Sequence, residues 1–265
     1  MRGLWVPVSG AIAQEKNVET IANNVANINT PGFKRDQLAF KEYLTILEKG
    51  ADSIDLPQRD WRPEDFYRTQ GAEHAQVKVD NSYTIHEQGQ LTPTNNPFDL
   101  ALQGPGMFEV LSPRGIRYTR QGSFSRDKDG FLVTSRGYPV LAANDDPQVL
   151  PEERKIKITG VPNINQRGEI FIGNQRIGQL SVREFKDLHQ LQKEGQALFV
   201  NPDAHNLDST SQTIVWQGQV EASNVNAISE IANLIKANRH FESIQRAIKA
   251  YDAMAGKGIN EITKF

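Results

Sequence analysis

Hydrophobic positions along this 265-residue chain change their period twice. Near the start, Ile12, Val18, Ile21, Val25 and Ile28 recur at helical spacing, the last four separated by three, four and three residues. That pattern predicts an amphipathic helix from Ser9 to about Asn29 with a coiled-coil-like seam. Pro31-Gly32 ends it, because proline disfavours helix in the residue before it and glycine permits the turn. The segment also carries Asn17, Asn23, Asn24, Asn27 and Asn29. Asparagine competes for backbone groups, so a helix this polar is marginal alone. At the other end, Val225, Ile228, Ile231 and Ile235 continue through Phe241, Ile244, Ile248 and Tyr251 in threes and fours, with one slip in the phase. One long helix of about 35 residues is predicted, started by Ser223-Asn224 as caps and decaying at Gly256 and Gly258. At 1.5 Å per residue it would extend about 50 Å, so it needs a partner along its length.

Between the ends the period shortens to two. Phe98, Leu100 and Leu102 alternate with polar or small neighbours. Runs at 107–111, 116–120, 130–134, 138–142, 155–158, 169–172, 179–185 and 213–217 read as strands. Ser112-Pro113-Arg114-Gly115, Asp127-Lys128-Asp129-Gly130 and Asn165-Gln166-Arg167-Gly168 read as hairpin connections with glycine where positive φ is needed. No crossover helices separate the strands, so an antiparallel, all-β middle domain is expected. The predicted fold class is α+β and multi-domain: terminal helices pairing as a coiled-coil-like domain, with the β domain between them. The predicted segments are an N-terminal helix at 1–35, a connecting segment at 36–90, the β domain at 91–218 and a C-terminal helix at 219–265. The connecting segment opens with a short helix over Leu38–Glu48 and continues as a charged, turn-rich insert.

Composition narrows the function. Thirty Lys+Arg against 32 Asp+Glu give a net charge of −2, which argues against a dedicated nucleic-acid binder. The absence of cysteine excludes thiolate metal sites, iron–sulfur clusters and cysteine nucleophiles. A mean hydropathy of −0.54 is polar for a domain of this size, and points to a chain that cannot bury itself alone. No run is long and apolar enough to span a bilayer, and Pro7 interrupts the only apolar stretch at the start, so no cleaved secretory signal is expected.

Tests for chemistry fail in turn. Gly104-Pro105-Gly106 lacks the third glycine of a dinucleotide loop, where Glu109 stands instead. Gly256-Lys257 lacks the Ser/Thr of a phosphate loop, since Gly258 follows. Ser125-x-Asp127-x-Asp129-Gly130 resembles half a calcium loop, but Arg136 occupies the position of the required acid. His74, His86, His189, His205 and His240 show no metal-ligand spacing, there is no G-x-S-x-G elbow, and the acidic pairs Asp145-Asp146 and Glu152-Glu153 fall in proline-containing loops. No catalytic residue, cofactor site or metal site is predicted, and neither is a small-molecule substrate.

Three blocks carry a resemblance. Ile21-Ala22-Asn23-Asn24-Val25-Ala26-Asn27-Ile28-Asn29-Thr30-Pro31-Gly32-Phe33-Lys34 resembles the signature of bacterial flagellar axial proteins, the rod, hook and hook-associated subunits. Gly89-x-Leu91-x-x-Thr94-x-Asn96-Pro97-Phe98-Asp99-Leu100-Ala101-Leu102-x-Gly104-x-Gly106-Met107-Phe108, then Tyr118-Thr119-Arg120-x-Gly122-x-Phe124, is similar to the start of their β domain. Val220-Glu221-Ala222-Ser223-Asn224-Val225-Asn226, followed by Asn238-Arg239-His240-Phe241-Glu242, is similar to their C-terminal helix. The resemblance implies a non-enzymatic subunit of the basal-body rod, exported unprocessed by the flagellar type III apparatus and polymerised helically around its channel to transmit torque.

Implied partners are copies of the chain, other rod subunits, the export apparatus and the inner membrane ring. The assembly helices would act through Val18, Ile21, Asn24, Val25, Ile28, Val225, Ile228, Ile231, Ile235, Phe241, Ile244 and Ile248. Asn23, Asn24, Asn27, Thr30, Gly32 and Phe33 form the family signature. Phe40-x-x-x-Leu44 matches a short export-docking pattern. The length suits a rod subunit better than the hook, and the ending Tyr251-Asp252-x-Met254-x-x-Lys257-x-x-Asn260-Glu261-Ile262 resembles proximal-rod subunits. One alternative is a distal-rod subunit, although such subunits usually carry a Gly-rich insert, and only Gly50, Gly71 and Gly89 fall there. The other, from a different class, is a secreted β-domain binding protein or enzyme whose helical ends merely anchor it.

Overall fold

The computed structural model describes residues 5–44, 75–144, 149–195, 197–208 and 212–262. The chain divides into two compact units. One draws on the segments up to residue 25, 36–83 and 227 onward, and the other on 26–35 and 84–226.

The first unit holds α1 (Trp5–Ala26), β1 (Asp36–Leu44), β2 (Ala75–Thr84) and most of the chain's helical content in α2 (Ala227–Ile262). Pro7 sits in the first turn of α1, where its missing N–H would have no partner anyway. The helices run antiparallel. A Cβ built on Gly10 would lie 3.8 Å from Ile244 Cδ1, Gln14 Nε2 donates to Ala237 O at 3.2 Å, and Asn24 Nδ2 approaches Glu230 Oε2 at 3.5 Å. Helix boundaries differ from the sequence reading. α1 stops at Ala26, so Ile28 lies in the following turn and not on the stripe. Asn27 ends the helix by accepting the Thr30 hydroxyl at 3.1 Å on its side chain and the Thr30 N–H at 3.2 Å on its carbonyl. α2 starts at Ala227, which leaves Val225 outside it and Ser223-Asn224 too far back to cap it. It runs through Gly256 and Gly258 without breaking.

Residues 36–44 form a strand and do not open a helix. The rest of the Leu38–Glu48 prediction lies outside the described residues. Leu38, Phe40 and Leu44 are spaced by even numbers, which suits one face of a strand, and a four-residue step also equals about one helical turn. Pairing with β2 decides between them.

The second unit is all-β: β3 (Leu91–Pro93), β4 (Leu100–Gln103), β5 (Met107–Ser112), β6 (Gly115–Thr119), β7 (Phe124–Arg126), β8 (Leu132–Thr134), β9 (Asn163–Ile164), β10 (Glu169–Ile172), β11 (Gln175–Gln179), β12 (Val182–Phe185), β13 (Gln192–Lys193), β14 (Leu198–Val200), β15 (Leu207–Asp208), β16 (Ile214–Gln217) and β17 (Gln219–Glu221). Its strand pairings are antiparallel. The largest sheet has the order β13-β14-β6-β5-β12-β15 and is covered on both faces. Phe108 and Val110 point into a core with Leu100, Leu102, Phe124 and Leu132. Met107 points the other way, to Tyr118, Phe185, Leu191 and Phe199. The three predicted hairpins form, with Gly115, Gly130 and Gly168 at positive φ.

Candidate assembly surface

α2 carries two apolar stripes. Glu230, Leu234, Ala237, Phe241, Ile244 and Ile248 are buried or half-buried and alternate by four and three, so they form the seam against α1. Ile228, Ile231 and Ile235 lie about 130° around the helix and are 82%, 47% and 50% exposed. The slip in phase therefore marks a change of face. Before it the isoleucines look outward, and after it Phe241, Ile244 and Ile248 look toward α1.

On α1 the matching seam is Val6, Gly10, Ala13, Asn17, Ile21 and Asn24, made largely of small and amide side chains. Ile12, expected on the stripe, is 56% exposed, while Val18 and Val25 flank the seam half-buried. Asn24 is 1% exposed and grips Asp36 like a strand neighbour. Its Nδ2 donates to Asp36 O at 2.8 Å and its Oδ1 accepts the Asp36 N–H at 3.0 Å. Asn23 is exposed.

The rest of the signature lies in the β unit, where it meets four other chain segments, around residues 85–89, 120, 193 and 221–224. Gly32 N–H donates to Glu221 O at 2.7 Å with φ +67°, and a Cβ there would come within 2.3 Å of the Arg120 carbonyl carbon. Only glycine fits. Phe33, 1% exposed, has Lys193 Nζ 3.9 Å from its ring centroid. Lys34 Nζ donates to Glu221 Oε1 at 2.5 Å and to Glu87 O at 2.6 Å. Arg120 Nη1 reaches Glu221 Oε2 at 3.3 Å, and the Gly89 N–H donates to Glu221 Oε1 at 2.9 Å. Asn224 completes the knot. Its Oδ1 accepts the Arg35 N–H at 2.8 Å, and its Nδ2 donates to Ile85 O at 2.8 Å.

Two cations thus share one carboxylate, and all three groups are almost fully buried. Burial pushes the Lys34 ammonium below its usual range against the pull of Glu221, and burial lowers Arg120 likewise. His86 is held down to about 4 by burial, then by the charges of Lys34, His189, Arg120 and Lys193. A second buried carboxylate, Glu109, accepts both Arg154 Nη atoms at 3.1 and 2.7 Å and the Ser181 hydroxyl at 2.5 Å. Burial pushes it up, and these bonds outweigh that to hold it below the usual carboxylate range.

Sequence reasoning missed Glu221, Lys34, Arg120 and Asn224 as partners, because Lys34 and Glu221 stand 187 residues apart. It also missed Ala13 and Ala237, whose small size gives no hydrophobic signal. Phe40 is 46% exposed on β1, and Leu44 ends the same strand. These arrangements hold segments and present an apolar face. Among the described residues no three His, Asp or Glu side chains gather as metal ligands.

Comparison with known proteins converges on one family. Residues 4–34 match the family described as flagella basal body rod protein, 101–172 the D1 domain of flagellar hook protein FlgE/F/G, and 217–261 the C-terminal region of flagellar basal body rod FlgEFG proteins. The chain is 33% identical to the flagellar basal-body rod protein FlgG of Buchnera aphidicola subsp. Schizaphis graminum, over 96% of this chain and 97% of that one. It is 34% identical to FlgG of Caulobacter vibrioides over 96% and 97%, and 30% identical to FlgF of the same organism over 98% of each.

Proposed function

Because the chain belongs to the flagellar basal-body rod protein family, a structural and non-enzymatic group, we propose that it is the distal, FlgG-type subunit of the rod. Whole-chain identity favours this over the proximal reading of the C-terminal residues: FlgG relatives reach 33 and 34%, the FlgF relative 30%. In this reading the subunit joins copies of itself and other rod subunits through the outward face of α2. The observation that supports it most is the unpaired stripe Ile228, Ile231 and Ile235 on a helix whose other stripe is already used. Exposed apolar stripes of this kind mark interaction surfaces, and head-to-tail interfaces that do not close build filaments.

Ile235→Asp tests the surface. It places a charge on the outward stripe without touching the α1 seam, so the purified monomer should keep its melting temperature while rod completion and motility are lost. Normal rods from this variant would remove the stripe from the interface. Expression in strains lacking either the FlgG-type or the FlgF-type subunit tests the position, and rescue of the first alone is expected. Phe40 and Leu44 remain the proposed export-docking pair, supported by the accessibility of Phe40. The inner membrane ring remains a proposed neighbour.

A further inference from the structure

The β unit carries an uncharged amide-and-indole cleft on the face of β4 and β16 that turns away from the core. Trp216 pairs with Ala101 across the two strands, while its neighbour Val215 is 2% exposed in the core. Side chains alternate along a strand, so Trp216 and Gln103 share the outer face. Gln88, Leu91, Gln103, Trp216 and Gln219 line an open cleft of about 450 Å3.

The cleft is held in shape. Trp216 Nε1 donates to Gln103 Oε1 at 2.8 Å, which fixes the indole in its plane. Gln88 is clamped at both ends, donating to Leu102 O at 3.1 Å and accepting the Gly104 N–H at 3.3 Å. That leaves Gln103 Nε2 and the whole Gln219 amide without a protein partner among the described residues, next to an aromatic ring and the Leu91 side chain. None of the five lining residues is titratable.

A preset indole beside free amide donors and acceptors, with no charge, suits one ligand chemistry. A pyranose ring offers an apolar face to stack on the indole and hydroxyls that both accept from and donate to amides. Anionic ligands find no cation here, and apolar ones would strand the glutamines. We propose that this cleft is a binding site for a neutral oligosaccharide, a role separate from rod polymerisation.

The test titrates full-length monomer with chitotriose and, separately, with maltotriose, following the Trp216 indole N–H and glutamine amide resonances by NMR. Saturable shifts at Trp216, Gln103 and Gln219 are expected with at least one sugar, the pair distinguishing N-acetylated from plain glucosides. Because the site is uncharged, the dissociation constant should not change between low and high salt. Gln219→Ala, which removes an amide with no hydrogen-bond partner among the described residues, should weaken binding several-fold. Trp216→Ala should weaken it about tenfold or more, while Trp216→Phe, which keeps a stacking ring, should retain part of it. No shift with either sugar up to its solubility limit, binding unchanged by Gln219→Ala in a folded variant, or tighter binding of an uncharged Gly-Ser peptide at the same residues would each overturn the assignment.

Discussion

Glu221 illustrates how much a single side chain can hold. Its carboxylate is 0% exposed and receives Lys34, Arg120 and the Gly89 N–H, so within the β unit it joins Lys34 to two other chain segments. A buried pair of this kind adds little stability over an apolar substitute, but breaking one side strands the opposite charges. Glu221→Gln keeps the shape and removes the charge that two buried cations share. Equilibrium denaturation should show a loss of about 3–5 kcal/mol. Lys34→Met should cost less, because Arg120 still pairs with the carboxylate. A loss for Glu221→Gln within error of zero would mean that solvent reaches the cations.

His86 gives the same cluster a pH dependence. Its pKa falls from 6.5 to about 4 on folding, first under burial and then under Coulombic repulsion from Lys34, His189, Arg120 and Lys193. The unfolded chain therefore takes up a proton that the folded chain refuses. The resulting stability is fully present above pH 6.5 and drains away as pH falls toward 4. The ring is partly solvated, so screening reduces the swing to about 1–2 kcal/mol. Denaturation midpoints of wild type and His86→Gln measured from pH 7 to pH 4 should diverge, with the variant flatter.

At the scale of elements, the sequence made the terminal helices legible and hid their faces. Period-based reading found α1 and α2 because isoleucines at threes and fours are a strong signal. It then read the apolar positions of each helix as one continuing pattern, with a single slip in α2, since hydrophobicity was the only criterion available. The seam instead uses Gly10, Ala13, Asn17 and Asn24 opposite Ala237 and Ile244, where small residues let the helices approach. β1 was misread because even spacing fits two periods, and β3, β13, β14 and β17 were too short to show alternation. The β hairpins were legible because their turns need glycine at positive φ.

Seam and outward stripe should respond differently to substitution. Ala237 is 4% exposed against α1, so Ala237→Leu overpacks the pair and should lower monomer stability by about 1–3 kcal/mol. Circular dichroism during thermal unfolding would record this as an earlier loss of helix. Ile235→Asp should leave that curve unchanged. If the two variants melted alike, the division of α2 into an inner and an outer face would fail.

Over the whole molecule, stability is distributed unevenly. The β unit has two buried clusters and a sheet covered on both faces. The helical pair has a narrow seam, and α2 runs on past the described part of α1: Gly10 stands opposite Ile244, and α1 is described from Trp5. From Tyr251 to Lys257 every described side chain of α2 is exposed, including Tyr251 at 48% and Met254 at 60%. An isolated stretch of helix that short is marginal in water, so it needs neighbours to persist. Here the polar composition acquires a location, in a helix that leaves Ile228, Ile231, Ile235, Tyr251 and Met254 exposed. Hydrogen exchange on the purified monomer should therefore fall into three levels. Amides of the buried strands such as β5 and β6 should exchange slowest, those of the α1–α2 seam faster, and those beyond residue 250 with little protection. Incorporation into rods should slow exchange along all of α2, the stretch beyond 250 most of all. Full protection of that stretch in a verified monomer would show that the helix is stable without partners, and its ordering could not then be coupled to assembly.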